Sequence, residues 1–73
     1  MEQKNPLPKK FGARVREERL RLGLSQEELG FRTGLDRTYI SGIERGKRNP
    51  ALKNIGKIAK ALNKSPKELL DWG

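Results

Sequence analysis

Apolar positions keep a helical spacing along most of this chain. Phe11, Val15, Arg19 and Leu22 recur at intervals of four, four and three, which is one face of a helix. They predict a first helix over about Lys9 to Leu22, closed by Gly23, where glycine can take positive φ. Ser25-Gln26-Glu27-Glu28 has the form of a capping box, with Leu24 and Leu29 at the spacing of a hydrophobic staple. That start signal opens a second helix ending near Thr33, before Gly34. Asp36 is a good N-cap for a third helix, with Leu35 and Ile40 as its staple, and Gly46 stops that helix after about Arg45. Only Gly34, Leu35 and Asp36 join the second and third helices, so the two must cross steeply. Leu52, Ile55, Ile58, Ala59 and Leu62 share a face of a fourth helix over about Pro50 to Leu62. A second capping box, Ser65-Pro66-Lys67-Glu68, starts a short fifth helix. No stretch alternates as a strand does. The expectation is an all-α domain of five helices over 9–73, preceded by a flexible arm over 1–8 that contains two prolines.

Composition narrows the chemistry. The 73 residues make one domain at most, and they include neither cysteine nor histidine. Disulfides are thus excluded, as are the usual nitrogen and sulfur ligands of zinc and copper. No metal and no cofactor is expected. There is no apolar run of the roughly 20 residues that span a bilayer, and no apolar signal segment. The expectation is a soluble, cytoplasmic protein without a membrane partner.

The net charge of +8 is unevenly placed. Residues 32–67 hold ten basic and two acidic residues, whereas the remainder holds seven of each. The excess therefore lies within one half of the chain. A block of this kind suits a polyanion, because neutralised phosphates release condensed counterions. It equally suits a solvated surface, and charge alone does not decide between them.

The third helix is more informative. Asp36, Ile40, Ile43 and Glu44 share one side; Arg37, Thr38, Ser41, Gly42 and Arg45 share the other, with no large apolar side chain. Arginine can give two hydrogen bonds to guanine, and Thr or Ser can reach bases or phosphates. A plain solvated face has the same composition. Gly42 weakens that alternative, since a glycine inside a helix costs about 1 kcal/mol against alanine and lets another surface come close. Arg19 and Glu44 each fall on an apolar face. A buried charge needs a partner, and each is the obvious partner of the other, fixing the third helix on the first.

The run Gly23-Leu24-Ser25-Gln26-Glu27-Glu28-Leu29, then Gly34, then Tyr39-Ile40-Ser41-Gly42-Ile43-Glu44-Arg45-Gly46, resembles the Cro/C1-type (XRE) helix-turn-helix family of phage and bacterial repressors. The resemblance covers about residues 11–70 and implies a lambda-repressor-like fold. It implies base contacts from Arg37, Thr38 and Ser41, to which the close approach allowed at Gly42 adds a fourth expected base contact. It implies backbone contacts from Gln26, Tyr39, Arg45, Lys47, Arg48 and Asn49, with Gln26 also bracing the third helix. The family's buried ion pair falls on Arg19 and Glu44. Leu35 to Arg45, followed by Arg48-Asn49, is similar to the controller proteins of restriction–modification systems, which are homodimers on paired operators. Two departures stand out. Gly30 replaces the usual alanine at a helix contact, which should loosen the second helix. Ala51 replaces a Ser or Thr cap, which leaves Asn49 to cap the fourth helix.

The expected function is a homodimeric, sequence-specific regulator on double-stranded DNA, with Leu69, Leu70 and Trp72 as the dimer contact and no small-molecule effector. Lys53, Lys57, Lys60 and Lys64 read as a solvated stripe; Lys4, Lys9 and Lys10 read as a tail clear of the DNA. Rival readings are an antitoxin-like or other protein-interaction module, a prophage-type repressor, and an RNA binder. The RNA reading requires exposed stacking aromatics, for which only Tyr39 and Trp72 are available. An enzyme is disfavoured by the missing histidine and cysteine and by the lack of a phosphate-cradling glycine loop.

Overall fold

The computed structural model describes residues 5–71. Among them are five helices: α1 (Leu7–Arg21), α2 (Gln26–Thr33), α3 (Arg37–Glu44), α4 (Leu52–Ala61) and α5 (Pro66–Leu70). α3 packs on both α1 and α2, α2 also meets α4, and α5 closes against α1 and α4. The core consists of Phe11, Val15, Leu29, Ile40, Ile43, Ile58, Ala59, Leu62 and Leu69.

The caps form as their sequences dictate. Ser25 Oγ accepts from the Glu28 amide at 3.0 Å, while Glu28 Oε1 accepts from the Ser25 amide at 2.8 Å. Ser65 and Glu68 repeat the box on α5. Asp36 caps α3 by accepting from the Thr38 amide at 3.1 Å. Gly23, Gly34 and Gly46 all have positive φ, each just beyond a helix. The α2–α3 turn has a further clamp. The Thr33 hydroxyl donates to the Leu29 carbonyl at 2.8 Å and accepts from the Leu35 amide at 3.2 Å.

Several expectations need correction. α1 starts at Leu7, inside the expected arm, because Asn5 Oδ1 accepts the Leu7 amide at 3.1 Å and Pro8 sits in a first turn that requires no N–H from it. Lys9 and Lys10 are consequently helical, and Lys4 lies outside the described residues. α4 starts at Leu52 rather than Pro50. Its N-cap is Ala51, and no side chain caps it, so Asn49 does not take that role. Leu52 is 79% exposed and outside the core that its spacing assigned it to. Gly30 is buried, and a Cβ there would stand 2.7 Å from the Leu35 carbonyl oxygen, so the missing side chain admits the turn. A close approach of α1 and α3 lies outside those expectations: a Cβ on Gly12 of α1 would collide with the Ile43 carbonyl of α3.

Candidate nucleic-acid interface

Behind α3 lies a buried charge cluster that sets its position. Arg19 Nε donates to Glu44 Oε2 at 2.7 Å and Nη2 donates to Oε1 at 2.9 Å, a two-pronged pairing between α1 and α3. The third guanidinium nitrogen, Nη1, donates to the Leu24 carbonyl at 2.7 Å. Gln26 Nε2 then donates to Glu44 Oε1 at 3.2 Å, tying the start of α2 into the same carboxylate. Arg19 and Glu44 are both buried. The hydrogen bond to Glu44 raises the Arg19 pKa above its already high ordinary value, outweighing the opposite effect of burial. The arginine is therefore a permanent cation, each of whose three guanidinium nitrogens donates to Glu44 or to the Leu24 carbonyl.

With Ile40, Ile43 and Glu44 turned to the core, α3 presents Arg37, Thr38 and Arg45 to solvent, with Ser41 half-buried between them. Arg45 Nε leans back to the Ser41 carbonyl at 3.4 Å. Asp36 is exposed at the start of this face and committed to the cap.

Gly42 is placed differently from the sequence expectation. It is buried, and Arg48 Cγ lies 2.7 Å from where its Cβ would be. The surface that approaches this glycine is thus the protein's own Arg48, folded back from the following loop. The Gly42 carbonyl also accepts from the Lys47 and Arg48 amides, at 2.8 and 3.2 Å. The base-contact assignment of Gly42 is withdrawn, since a residue covered by a side chain has no edge to offer a groove.

Arg48 places its guanidinium carbon 5.8 Å from the Tyr39 ring centroid, within cation–π range. The Tyr39 hydroxyl accepts from Asn54 Nδ2 of α4 at 3.1 Å. Lys47, Arg48 and Asn49 are exposed beside this cluster. The uncapped start of α4 leaves first-turn amides of the kind that suit an anion. Sequence reasoning missed Asn54, because a polar bond between two separate elements leaves no periodic trace.

The dimer residues separate. Leu69 is fully buried in the core, because α5 turns this side chain inward to close against α1 and α4; it is withdrawn as a contact. Leu70 is 45% exposed, and Trp72 lies outside the described residues. Leu70 lines an apolar cleft with Leu7, Phe11, Pro50 and Ile55. Among the described residues, no group of three or more acidic side chains could hold a metal, and no helix is long and apolar enough to cross a membrane.

Comparisons with known proteins converge on this architecture. The helix-turn-helix family profile matches residues 15–69. Control protein C.BamHI of Bacillus amyloliquefaciens is 57% identical over 63 residues, covering 85% of this chain and 78% of that protein. The crystal structure of the restriction–modification controller C.AhdI from Aeromonas hydrophila superposes with a TM-score of 0.83 at 56% identity, over 85% of this chain and 94% of that one. The controller C.Esp1396I, solved as a tetramer with its natural 35-base-pair operator, superposes with a TM-score of 0.82 at 39% identity, over 90% and 87% of the two chains. A profile match across most of the chain, together with relatives at this identity, means that the chain belongs to the Cro/C1-type helix-turn-helix family.

Proposed function

We propose that this protein is a sequence-specific, double-stranded DNA-binding transcription regulator of the restriction–modification controller type. The observation that carries the reading is the two-sided construction of α3. Its inner side is locked by the Arg19–Glu44–Gln26 cluster, and its outer side offers Arg37, Thr38 and Ser41 with no bulky apolar residue. A rigid helix with short polar groups and an arginine at its start suits base edges in the major groove. Tyr39, Arg45, Lys47, Arg48 and Asn49, together with Gln26, supply backbone phosphate contacts around it. In this role the protein works in the cytoplasm as a binding protein rather than an enzyme, needing neither cofactor nor small effector.

It acts as a homodimer on a pseudo-palindromic operator, in keeping with the operator-bound tetramer of C.Esp1396I. The dimer face is the apolar cleft of Leu7, Pro50, Ile55 and Leu70, with exposed Leu52 on the same helix as Ile55. A two-fold pair would set two α3 helices about 34 Å apart, one turn of B-DNA.

Selection of duplexes from a random pool, followed by a salt titration on the winner, tests the reading. The expected winner has two related half-sites. Its log affinity should fall with log salt by about 0.9 per phosphate contacted. A flat salt response, or a pool that never enriches, contradicts the reading.

A further inference from the structure

The geometry points to Asn54 as a positioning residue for DNA binding: its side-chain amide holds Tyr39 so that the phenol proton is free for a phosphate and the ring is fixed as the rest for Arg48. The inference rests on the proposed DNA-binding role and adds a residue from α4, outside the helix-turn-helix, to the binding machinery.

Three observations support it. Asn54 Nδ2 donates to Tyr39 Oη at 3.1 Å, and both side chains are half-buried, so neither is a freely rotating surface group. Because the phenol oxygen accepts this bond, its own proton is uncommitted, and an oxygen that already accepts becomes a better donor. Arg48 rests over the same ring, 5.8 Å from its centroid, and packs into the space left by Gly42. One amide on α4 thus fixes two groups, a phenol donor on α3 and a guanidinium on the loop, before DNA arrives. Groups already held in place lose less side-chain freedom on binding. The same bond ties the start of α4 to α3, so the α4 amides keep a set distance from the phenol.

The test is a double-mutant cycle on duplex affinity, measured by fluorescence anisotropy with the full chain. Its variants are Tyr39→Phe, Asn54→Ala, the two combined, and Asn54→Asp, each with a melting curve. Loss of a hydrogen bond to a charged group predicts that Tyr39→Phe weakens binding about tenfold on every sequence. Asn54→Ala should weaken it several-fold alone and have no further effect in the Tyr39→Phe background. Asn54→Asp should be worse than Asn54→Ala, because the carboxylate accepts a hydrogen bond from the phenol O–H, which occupies that donor, and repels phosphate. If Tyr39→Phe weakens binding but Asn54→Ala is silent or fully additive with it, the positioning role is wrong and the DNA-binding reading stands. Equal or tighter binding by Asn54→Asp also overturns the role. If Tyr39→Phe leaves binding intact, the phosphate contact of Tyr39 fails, and the positioning role with it. Melting temperatures separate these results from loss of fold.

Discussion

At the scale of single residues, the pair of Arg19 and Glu44 was legible before the structure, and Gly42 was misread. A charge on an apolar stripe is a strong signal, since burial without a partner is prohibitive. With one such charge on each of two helices, the pairing follows. The structure adds that Leu24 and Gln26 complete the shell. Glu44→Ala should strand the guanidinium with only the Leu24 carbonyl. The expected loss is about 3–5 kcal/mol in chemical denaturation, as for other broken buried pairs. An unchanged midpoint would mean that water reaches Arg19 freely. Gly42 was assigned to the groove because a missing side chain says only that some surface comes near. It does not say which one, and the answer, Arg48, comes from a loop whose path the sequence leaves open.

Among the elements, the cap signals of α2, α3 and α5 located those helices well, because each cap is a local hydrogen bond between neighbours in sequence. Boundaries without such a signal moved. α1 begins earlier and α4 later than periodicity implied, since the prolines near both starts are compatible with either coil or first turn. The crossing of α1 and α3 is set by Gly12, which shares the buried face with Val15 and Arg19. A glycine inside that stripe was an available signal of close approach. Gly12→Ala improves intrinsic helix propensity by about 1 kcal/mol, yet it pushes a methyl group into a backbone carbonyl that has no rotamer to escape to. A net destabilisation of about 2 kcal/mol is expected from urea unfolding. A stabilised variant would show that α1 and α3 can separate without cost.

For the molecule as a whole, three carboxylates tie stability to pH. Glu18 is buried between Arg21, Arg14 and Lys64. The hydrogen bond from Arg21 is the main cause that lowers its pKa below the usual 4.5. The capping-box carboxylates Glu28 and Glu68 are lowered as well, chiefly by the Ser25 and Ser65 amides. A depressed folded-state value means that the ionised form favours the fold. The contribution is therefore complete above about pH 4.5 and is lost as pH falls through the lower folded-state values. Melting temperature should be flat from neutral pH to about 5 and fall below it, and Glu18→Gln should lower the neutral plateau and flatten the acid limb. An acid limb equally steep in that variant would remove Glu18 from the account.

The basic surface around α3, without ion-pair partners among the described residues, has the opposite task. Arg37, Arg45, Lys47 and Arg48 remain exposed around α3, free for an anionic partner. Their division of labour is the central claim. In the proposed function, Arg37, one residue beyond the Asp36 cap, would read a base, and Arg48, leaning on Tyr39, would hold phosphate. The most direct measurement is competition binding of wild type, Arg37→Ala and Arg48→Ala against single-base variants of the selected operator. Arg37→Ala should lose about 1–3 kcal/mol of discrimination at one position of each half-site and keep non-specific binding. Arg48→Ala should weaken all duplexes alike and lower the salt slope by about one contact. Base preferences left intact by Arg37→Ala would contradict the assignment of α3 as the reading helix.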